Sequence, residues 1–252
     1  MFKNAITRKP GPNFANGLTS INLGEPSFEL ILQQHNAYLR TLRSLGLQVD
    51  LLEALPEYPD AYFVEDVAVV THDIAVITLP GAPSREGETE TIASALAKYR
   101  DLAWIRPPGT LDGGDVMMVG NHCYIGISER TNRAGAAQLG EILEKYGMTW
   151  TPVPLAGGLH LKSDVNFIGR NTLLLSKAMV ELEVFSQYDR IVVEEEEAQA
   201  ANSLLVNGRL LTPKGFPRTK TLLLERGFDI IELDTSEVQK MDGGLSCMSL
   251  RF

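Results

Sequence analysis

Long apolar runs are missing from this chain. No stretch approaches the roughly 20 apolar residues a membrane span needs, so no membrane partner is expected. Cysteine is scarce, with two in 252 residues. The N-terminus, MFKNAITRKPGPN, is too polar for an export signal. Together these features predict a cytoplasmic protein with free thiols and no disulfide framework. Positive charge is in short supply as well. Lys and Arg number 23 against 32 Asp and Glu, a net charge of −9, which argues against nucleic acid or an anionic lipid surface as the main partner. A cationic small molecule is compatible with that balance. The glycine-rich phosphate and dinucleotide motifs, the G-x-S-x-G elbow and the H-E-x-x-H zinc motif are all absent. Nothing therefore calls for a nucleotide, a flavin or a catalytic metal, and no cofactor is expected. No Gly/Ser-rich linker divides the sequence, so residues 1–252 read as one domain. The single acidic run, Glu194 to Glu197, reads as a helix cap or a solvated face.

What is present is a repeat. A polar or Gly-rich position precedes a hydrophobic hairpin at Asp66, Asp112, His160, Asn202 and Cys247, at intervals of 46, 48, 42 and 45 residues. The second unit reads strand, turn, strand in VEDVAVV-THD-IAVIT, then a helix in ETIASALAKY, then a strand in LAWIR. The third repeats this with GGDVMMVGNHCYIGIS, a helix over 133–146, and MTWTPVPL. The fourth has DVNFIG and TLLLS around Arg170-Asn171, a weaker helix over 179–188, and RIVVEE. The fifth has NSLLV and RLLTP around Asn207-Gly208, a strong hairpin signal, then a helix over 219–226 and FDIIELD. The first unit has a long helix over 27–45 and LQVDLLEAL but lacks its opening hairpin. FKNAITRKP and the C-terminal SCMSLRF can supply those strands by pairing the two chain ends. Five β-β-α-β units around an axis predict an α/β fold of the closed propeller type, in preference to an open sheet with coincidental spacing.

Counterpart positions on such units converge on the axis. Cys247 follows Asp242-Gly243-Gly244 and is a candidate nucleophile, although a cysteine taken alone is more often a small buried apolar residue. Cys123, mid-strand in NHCYIGI, is that ordinary case. Of four histidines, His35 lies on a helix and His72 and His122 lie at hairpin tips. His160 stands at a unit start and is the best acid/base candidate. Acids gather at the other starts, in PDAYFVED and LDGGD. Carboxylates with one thiol and few histidines do not read as a zinc set. They read as a cradle for a cation; a guanidinium is planar, and its donors fit carboxylates in bidentate fashion.

The ordered motifs NGLTS, PDAYFVEDVAVV, PGAPSREGE, LDGGDV, SERTN, GLHLKS, AAN, TPKGFPRTK and DGGLSCMSLRF run nearly end to end. On them the chain resembles the dimethylarginine dimethylaminohydrolases, guanidine-modifying enzymes of the five-bladed pentein fold. The resemblance implies hydrolysis of methylated L-arginine to citrulline and a methylamine, without a cofactor, through a covalent cysteine intermediate. It implies Cys247 as nucleophile, His160 as acid/base and Asp112 as the active-site carboxylate beside it. Asp66 with Asp242 would hold the guanidinium. Asp60 and Glu65 would be substrate-side acids and Phe63 a pocket wall. Arg85 and Arg130 would clamp the substrate carboxylate, Leu18 would belong to a mobile lid, and Ser163 would be a secondary polar contact. The expected partner is a small-molecule substrate, and homodimerisation is left open.

Two positions depart from relatives. Arginine deiminases of this superfamily carry an acid two residues after the histidine, where this chain has Lys162. A dimethylated nitrogen has no N–H to donate, so the missing acid favours methylated arginine over arginine. Leu79, in TLPGAP, stands where many relatives are expected to have arginine. The alternatives are an arginine deiminase or citrullinase on the same fold, and a non-catalytic pentein. Cys247 and His160 at matching unit starts argue against the last.

Overall fold

The computed structural model describes residues 1–252. Local chemistry sets the elements. Strand β1 (Asn4–Arg8) leads to α1 (Phe28–Ser44). The Ser27 hydroxyl accepts from Leu30 N at the helix start, Glu29 lies in the first turn and Arg43 in the last, which matches the helix dipole. Its buried face carries Ile31, Gln34, His35, Tyr38, Leu39 and Leu42, the three-to-four spacing of one apolar stripe. Gly46, at φ 89°, ends the helix in the left-handed region, and β2 (Gln48–Leu52) follows.

The next unit is β3 (Ala68–Val70), β4 (Ile74–Ile77), α2 (Thr89–Leu96) and β5 (Asp101–Trp104). The third is β6 (Val116–Val119), β7 (His122–Ile127), α3 (Arg133–Glu144) and β8 (Thr149–Pro154). A short helix α4 (Leu161–Asp164) opens the fourth unit, with β9 (Val165–Gly169), β10 (Thr172–Leu175) and β11 (Asp189–Val192). The fifth is β12 (Leu204–Val206), β13 (Arg209–Pro213), α5 (Pro217–Glu225) and β14 (Ile230–Leu233). Helix α6 (Ser236–Gln239) and β15 (Leu250–Arg251) end the chain. In each of units two to five an antiparallel hairpin is joined by a parallel third strand. The parallel pairing needs a crossover, and in units two, three and five α2, α3 and α5 make it. Arg170-Asn171 and Asn207-Gly208 are left-handed at both central turn positions, the geometry two-residue hairpins require.

The first sheet is β15-β1-β2. Here β1 pairs parallel with β2 and antiparallel with β15, Ala5 opposite Arg251. The chain ends thus complete the incomplete first unit. The five buried clusters show how the sheets associate. Ile6 and Leu250 pack with Val67, Ala75 and Ile92. Val69 and Val76 pack with Val116, Ile125 and Leu139. Met117 and Tyr124 pack with Val165, Leu175 and Phe185. Ile168 and Leu174 pack with Leu210 and Leu223. Leu204 and Leu211 pack with Ala5, Ile31 and Leu42. Every cluster lies between consecutive sheets and the last closes five onto one, so the architecture is a five-bladed α/β propeller, the pentein arrangement. Burying one such aliphatic side chain stabilises by about 1.5–3 kcal/mol, so cohesion resides chiefly between blades.

One element departs from expectation. The helix expected over 179–188 is absent. In its place are two short turns, Lys177–Met179 and Glu183–Phe185, with Leu182 extended between them at φ −73° and ψ 109°. Val180 and Val184 are β-branched and helix-poor, and Met179 and Phe185 are drawn separately into the cluster around Tyr124. The acidic run resolves into one cap and three surface residues. The Glu197 carboxylate accepts from Arg218 N at 3.1 Å and Thr219 N at 2.7 Å, which satisfies the free amides at the start of α5. No helix is long and apolar enough to cross a membrane.

Candidate active site

Asp66, Asp112, His160, Asn202 and Cys247 each lie within five residues of the first strand of a sheet, preceding β3, β6, β9, β12 and β15. The repeat therefore brings them round one axis. Asp66, Asp112, His160 and Cys247 line a single cavity of about 730 Å³; Asn202 stands behind it. Leu18, Asp60, Phe63, Arg85, Arg130 and Asp242 complete the expected residues in its wall.

His160 is the electrostatic centre. Its Nε2 is 3.0 Å from Asp112 Oδ2, and its Nδ1 is 3.7 Å from Asp66 Oδ1. Asp112 is fully buried, and its other oxygen accepts from Gly81 N at 2.8 Å. Burial disfavours the imidazolium, but Asp66, the hydrogen bond to Asp112, and Asp115 outweigh it and hold His160 up at about 9. Burial likewise opposes the Asp112 carboxylate, yet the His160 hydrogen bond and charge keep it below the usual carboxylate range. The neighbouring backbone must come close. A Cβ on Gly114 would lie 2.6 Å from His160 Nδ1, so only glycine fits there. Asp115, unassigned from sequence, accepts from Leu161 N at 2.9 Å and the Ser128 hydroxyl at 2.7 Å, and so anchors α4 directly after His160.

Cys247 is partly exposed to the cavity. Burial, then the Glu65 and Asp66 carboxylates, push its thiol up to about 12. The resting pair at neutral pH is therefore a thiol and an imidazolium. Cys123 is fully buried in β7, and burial pushes it up to about 12 too.

Arg85 is only partly available as a clamp. Nε and Nη2 bond the Glu88 carboxylate, Nη1 bonds Asp66 at 2.5 Å, and Nη2 also reaches the Asp60 and Phe63 carbonyls. One Nη1 hydrogen remains of the five donors. Arg130 lines the same wall and forms no ion pair. Glu88, three residues after Arg85, was legible only as an i,i+3 spacing.

Two expected residues are not in the wall. Glu65 turns to the far side of the axis, toward Lys162 at 2.7 Å and Arg251 at 2.9 Å, in a small second cavity of about 40 Å³. Those cations hold its carboxyl below the usual range against burial. It cannot also face the substrate side from there. Ser163 lies in α4, its amide bonded back to His160 O, and does not line the cavity. The Leu18 segment, expected as a lid, lines the cavity and is tethered there. Leu18 N donates to the Asp60 carboxylate at 3.0 Å, Ser20 N to Asp242 at 2.6 Å, and the Thr19 hydroxyl to Lys240 O at 3.1 Å.

Asp66, Asp112 and His160 place potential metal-ligand atoms within 4.8 Å of one another. Their ligand atoms already serve each other and Arg85, so the set is self-neutralised.

The family model described as N,N dimethylarginine dimethylhydrolase, eukaryotic, matches residues 24–209. The chain is 44% identical over 254 residues to N(G),N(G)-dimethylarginine dimethylaminohydrolase of Pseudomonas aeruginosa, with both chains fully covered. The chain belongs to the dimethylarginine dimethylaminohydrolase family. Its relative of that name from Streptomyces coelicolor is 36% identical, over 99% of this chain and 97% of the relative. The crystal structure of the Pseudomonas enzyme, a cysteine-to-serine variant complexed with citrulline, superposes with a TM-score of 0.98 over both full chains. Another solved dimethylarginine dimethylaminohydrolase, a histidine-to-glycine variant, is an adduct with S-methyl-L-thiocitrulline, at 44% identity and TM-score 0.98 over both full chains.

Proposed function

We propose that the chain, acting as one catalytic domain, hydrolyses N-omega-methylated L-arginine to L-citrulline and a methylamine, with Cys247 as nucleophile. The observation that carries the roles is the convergence of Cys247, His160, Asp66 and Asp112 on one cavity. The 44% identity over the whole chain supports the activity. A cytoplasmic setting goes with two free thiols.

The resting thiol needs help to ionise, because its surroundings are negative. A guanidinium seated on Asp66, with Asp242 and Asp60 near the opening, brings a positive charge against Cys247 and favours the thiolate. Arg130 is the unpaired cation for the substrate carboxylate, and Arg85 contributes its one spare donor. The thiolate attacks the guanidinium carbon. His160, charged at neutral pH, gives its proton to the departing dimethylamine or methylamine, leaving a cationic thiouronium on Cys247. The now neutral imidazole takes a proton from water, and the hydroxide adds to the same carbon. Collapse breaks the carbon–sulfur bond as the new hydroxyl passes its proton to sulfur, which releases citrulline and restores the thiol beside a charged His160; the proton that the thiol gave to solvent on ionising is taken up by the released amine. Asp112 orients the ring through Nε2 and stabilises its charged form.

The choice among guanidines rests on Lys162. Its ammonium is held on Glu65 behind the nucleophile, so this position sends no second carboxylate into the cavity. Unmethylated arginine would leave an N–H donor unmatched, and a buried unmatched donor costs about 1–3 kcal/mol. Asymmetric dimethylarginine and monomethylarginine should therefore exceed arginine in kcat/KM by roughly 5- to 150-fold. Assays of citrulline, ornithine and released amines from dimethylarginine, monomethylarginine, arginine and citrulline decide this. Faster turnover of arginine would make the protein a deiminase, and ornithine from citrulline would make it a citrullinase.

A further inference from the structure

Four of the five positions that the repeat brings to the axis have a part in the reaction. Asn202, the fifth, does not line the cavity, yet it is 6% exposed and its side chain is fully engaged. Its carboxamide oxygen accepts from Ser246 N at 3.0 Å. Its Nδ2 reaches the Lys162 carbonyl at 3.1 Å, the Ser246 hydroxyl at 3.2 Å and Cys247 Sγ at 4.0 Å. The nucleophile's turn is thereby fastened, through one planar group, to the first turn after His160. The backbone is shaped to admit that group: a Cβ on Gly244 would lie 2.3 Å from Asn202 Cγ. Elsewhere the turn is held by Glu65, through the Ser246 hydroxyl at 2.7 Å and through its amide to Cys247 O at 3.2 Å. Asn202 both fixes this turn and holds its Nδ2 4.0 Å from the sulfur, its two N–H groups shared among three acceptors. The carboxylates of Glu65 and Asp66 act on the sulfur in the opposite sense.

We infer that Asn202 is a positioning residue for the nucleophile, which sets the turn bearing Cys247 relative to His160 and offers the thiolate a neutral hydrogen-bond donor. The inference rests on Cys247 being the nucleophile. A carboxamide suits the task because it supplies an acceptor for Ser246 N and donors for sulfur and carbonyl at once. An isosteric carboxylate keeps the acceptor, loses both donors and sets a negative charge against the sulfur.

The test uses Asn202→Asp and Asn202→Ala in the full chain, with thermal midpoints measured first. Steady-state constants are taken on monomethylarginine. Alkylation of Cys247 by iodoacetamide, a neutral probe, is followed between about pH 7 and pH 10 through the mass of the Cys247 peptide, which distinguishes it from Cys123. Loss of a hydrogen bond to a charged group predicts a fall in kcat of roughly 10- to 100-fold. KM should move by less than about threefold, since Asn202 does not touch the substrate cavity. Alkylation of Asn202→Asp should slow about tenfold at every pH, and that of Asn202→Ala less, since no charge is added. Alkylation within about twofold of the parent in both variants, or a kcat loss no larger than the loss of folded protein, overturns the inference. If Asn202→Asp fails to fold, Asn202→Ala is read by the same two criteria. A parent protein that turns over methylarginine without any need for Cys247 would instead overturn the nucleophile assignment.

Discussion

Glu65 and Asp66 are neighbours in one turn, both 3% exposed, and they face opposite ends of the propeller axis. On the far side, the Glu65 carboxylate meets two cations, Lys162 and Arg251. On the cavity side, Asp60, Asp66, Asp112 and Asp242 share the space with Arg85, Arg130 and His160, and Arg85 is drawn further toward buried Glu88. The same Coulomb attraction is thus saturated at one end and left with an excess of negative charge at the other. The saturated end closes the axis. The acids of the cavity side hold the imidazole charged, while burial, then Glu65 and Asp66, keep the thiol protonated until a cation arrives. Burial alone would have pushed His160 the other way, so the acids on the cavity side decide the resting state.

Three substitutions test that division. The largest effect belongs to Cys247→Ser, which should lower turnover by about 10³-fold or more with an unchanged circular dichroism spectrum, while Cys123→Ser remains active. Equal damage from the two would place the nucleophile wrongly.

His160→Gly should reduce kcat by roughly 10²–10⁴-fold. It also probes the charge balance. His160 is held at about 9 against an ordinary 6.5, so the stability it contributes is complete below pH 6.5 and is lost as pH rises through 9. The melting-temperature gap between parent and His160→Gly should shrink across that window. A gap that widens instead would mean the imidazole is neutral at rest.

The smallest effect is Glu65→Gln, which strips the far-side cations of their counter-charge. Breaking a buried pair in this way predicts a loss of about 3 kcal/mol in urea unfolding. Activity per folded molecule should fall less than in Asp66→Asn. A Glu65→Gln protein of parental stability but without activity would place Glu65 on the substrate side.

The blades were legible because each hairpin shows apolar strands on either side of a turn, such as Asn207-Gly208, and because α1 and α3 carry long apolar stripes. The pairing of FKNAITRKP with SCMSLRF followed from counting strands. The unit over 179–188 was not legible, because apolar residues at 179, 180, 182, 184 and 185 fit a helix only loosely and their burial depends on the Tyr124 blade. In the site, register identified which residues approach the axis but not which way a turn residue points. Glu65 and Ser163 illustrate this: one faces Lys162 across nearly a hundred residues of chain, and the other lies in a four-residue helix and does not line the cavity. Arg85 was visible as a cation near acids, but its capture by Glu88 was not, since both groups lie inside a Pro/Gly-rich segment with no clear period.

The pairing of β1 with β15 has a topological meaning. Lys3 N and Asn4 N both donate to Phe252 O, and Phe252 N donates back to Asn4 O, so the two end segments of the chain are neighbours at one sheet. The ring has a seam only in its covalent path. Joining the ends through a short loop and reopening the chain at the exposed His72 tip would leave every blade contact in place and move Cys247 from the tail to an internal segment. The propeller is a circle on which the start of the chain is a matter of where it was cut.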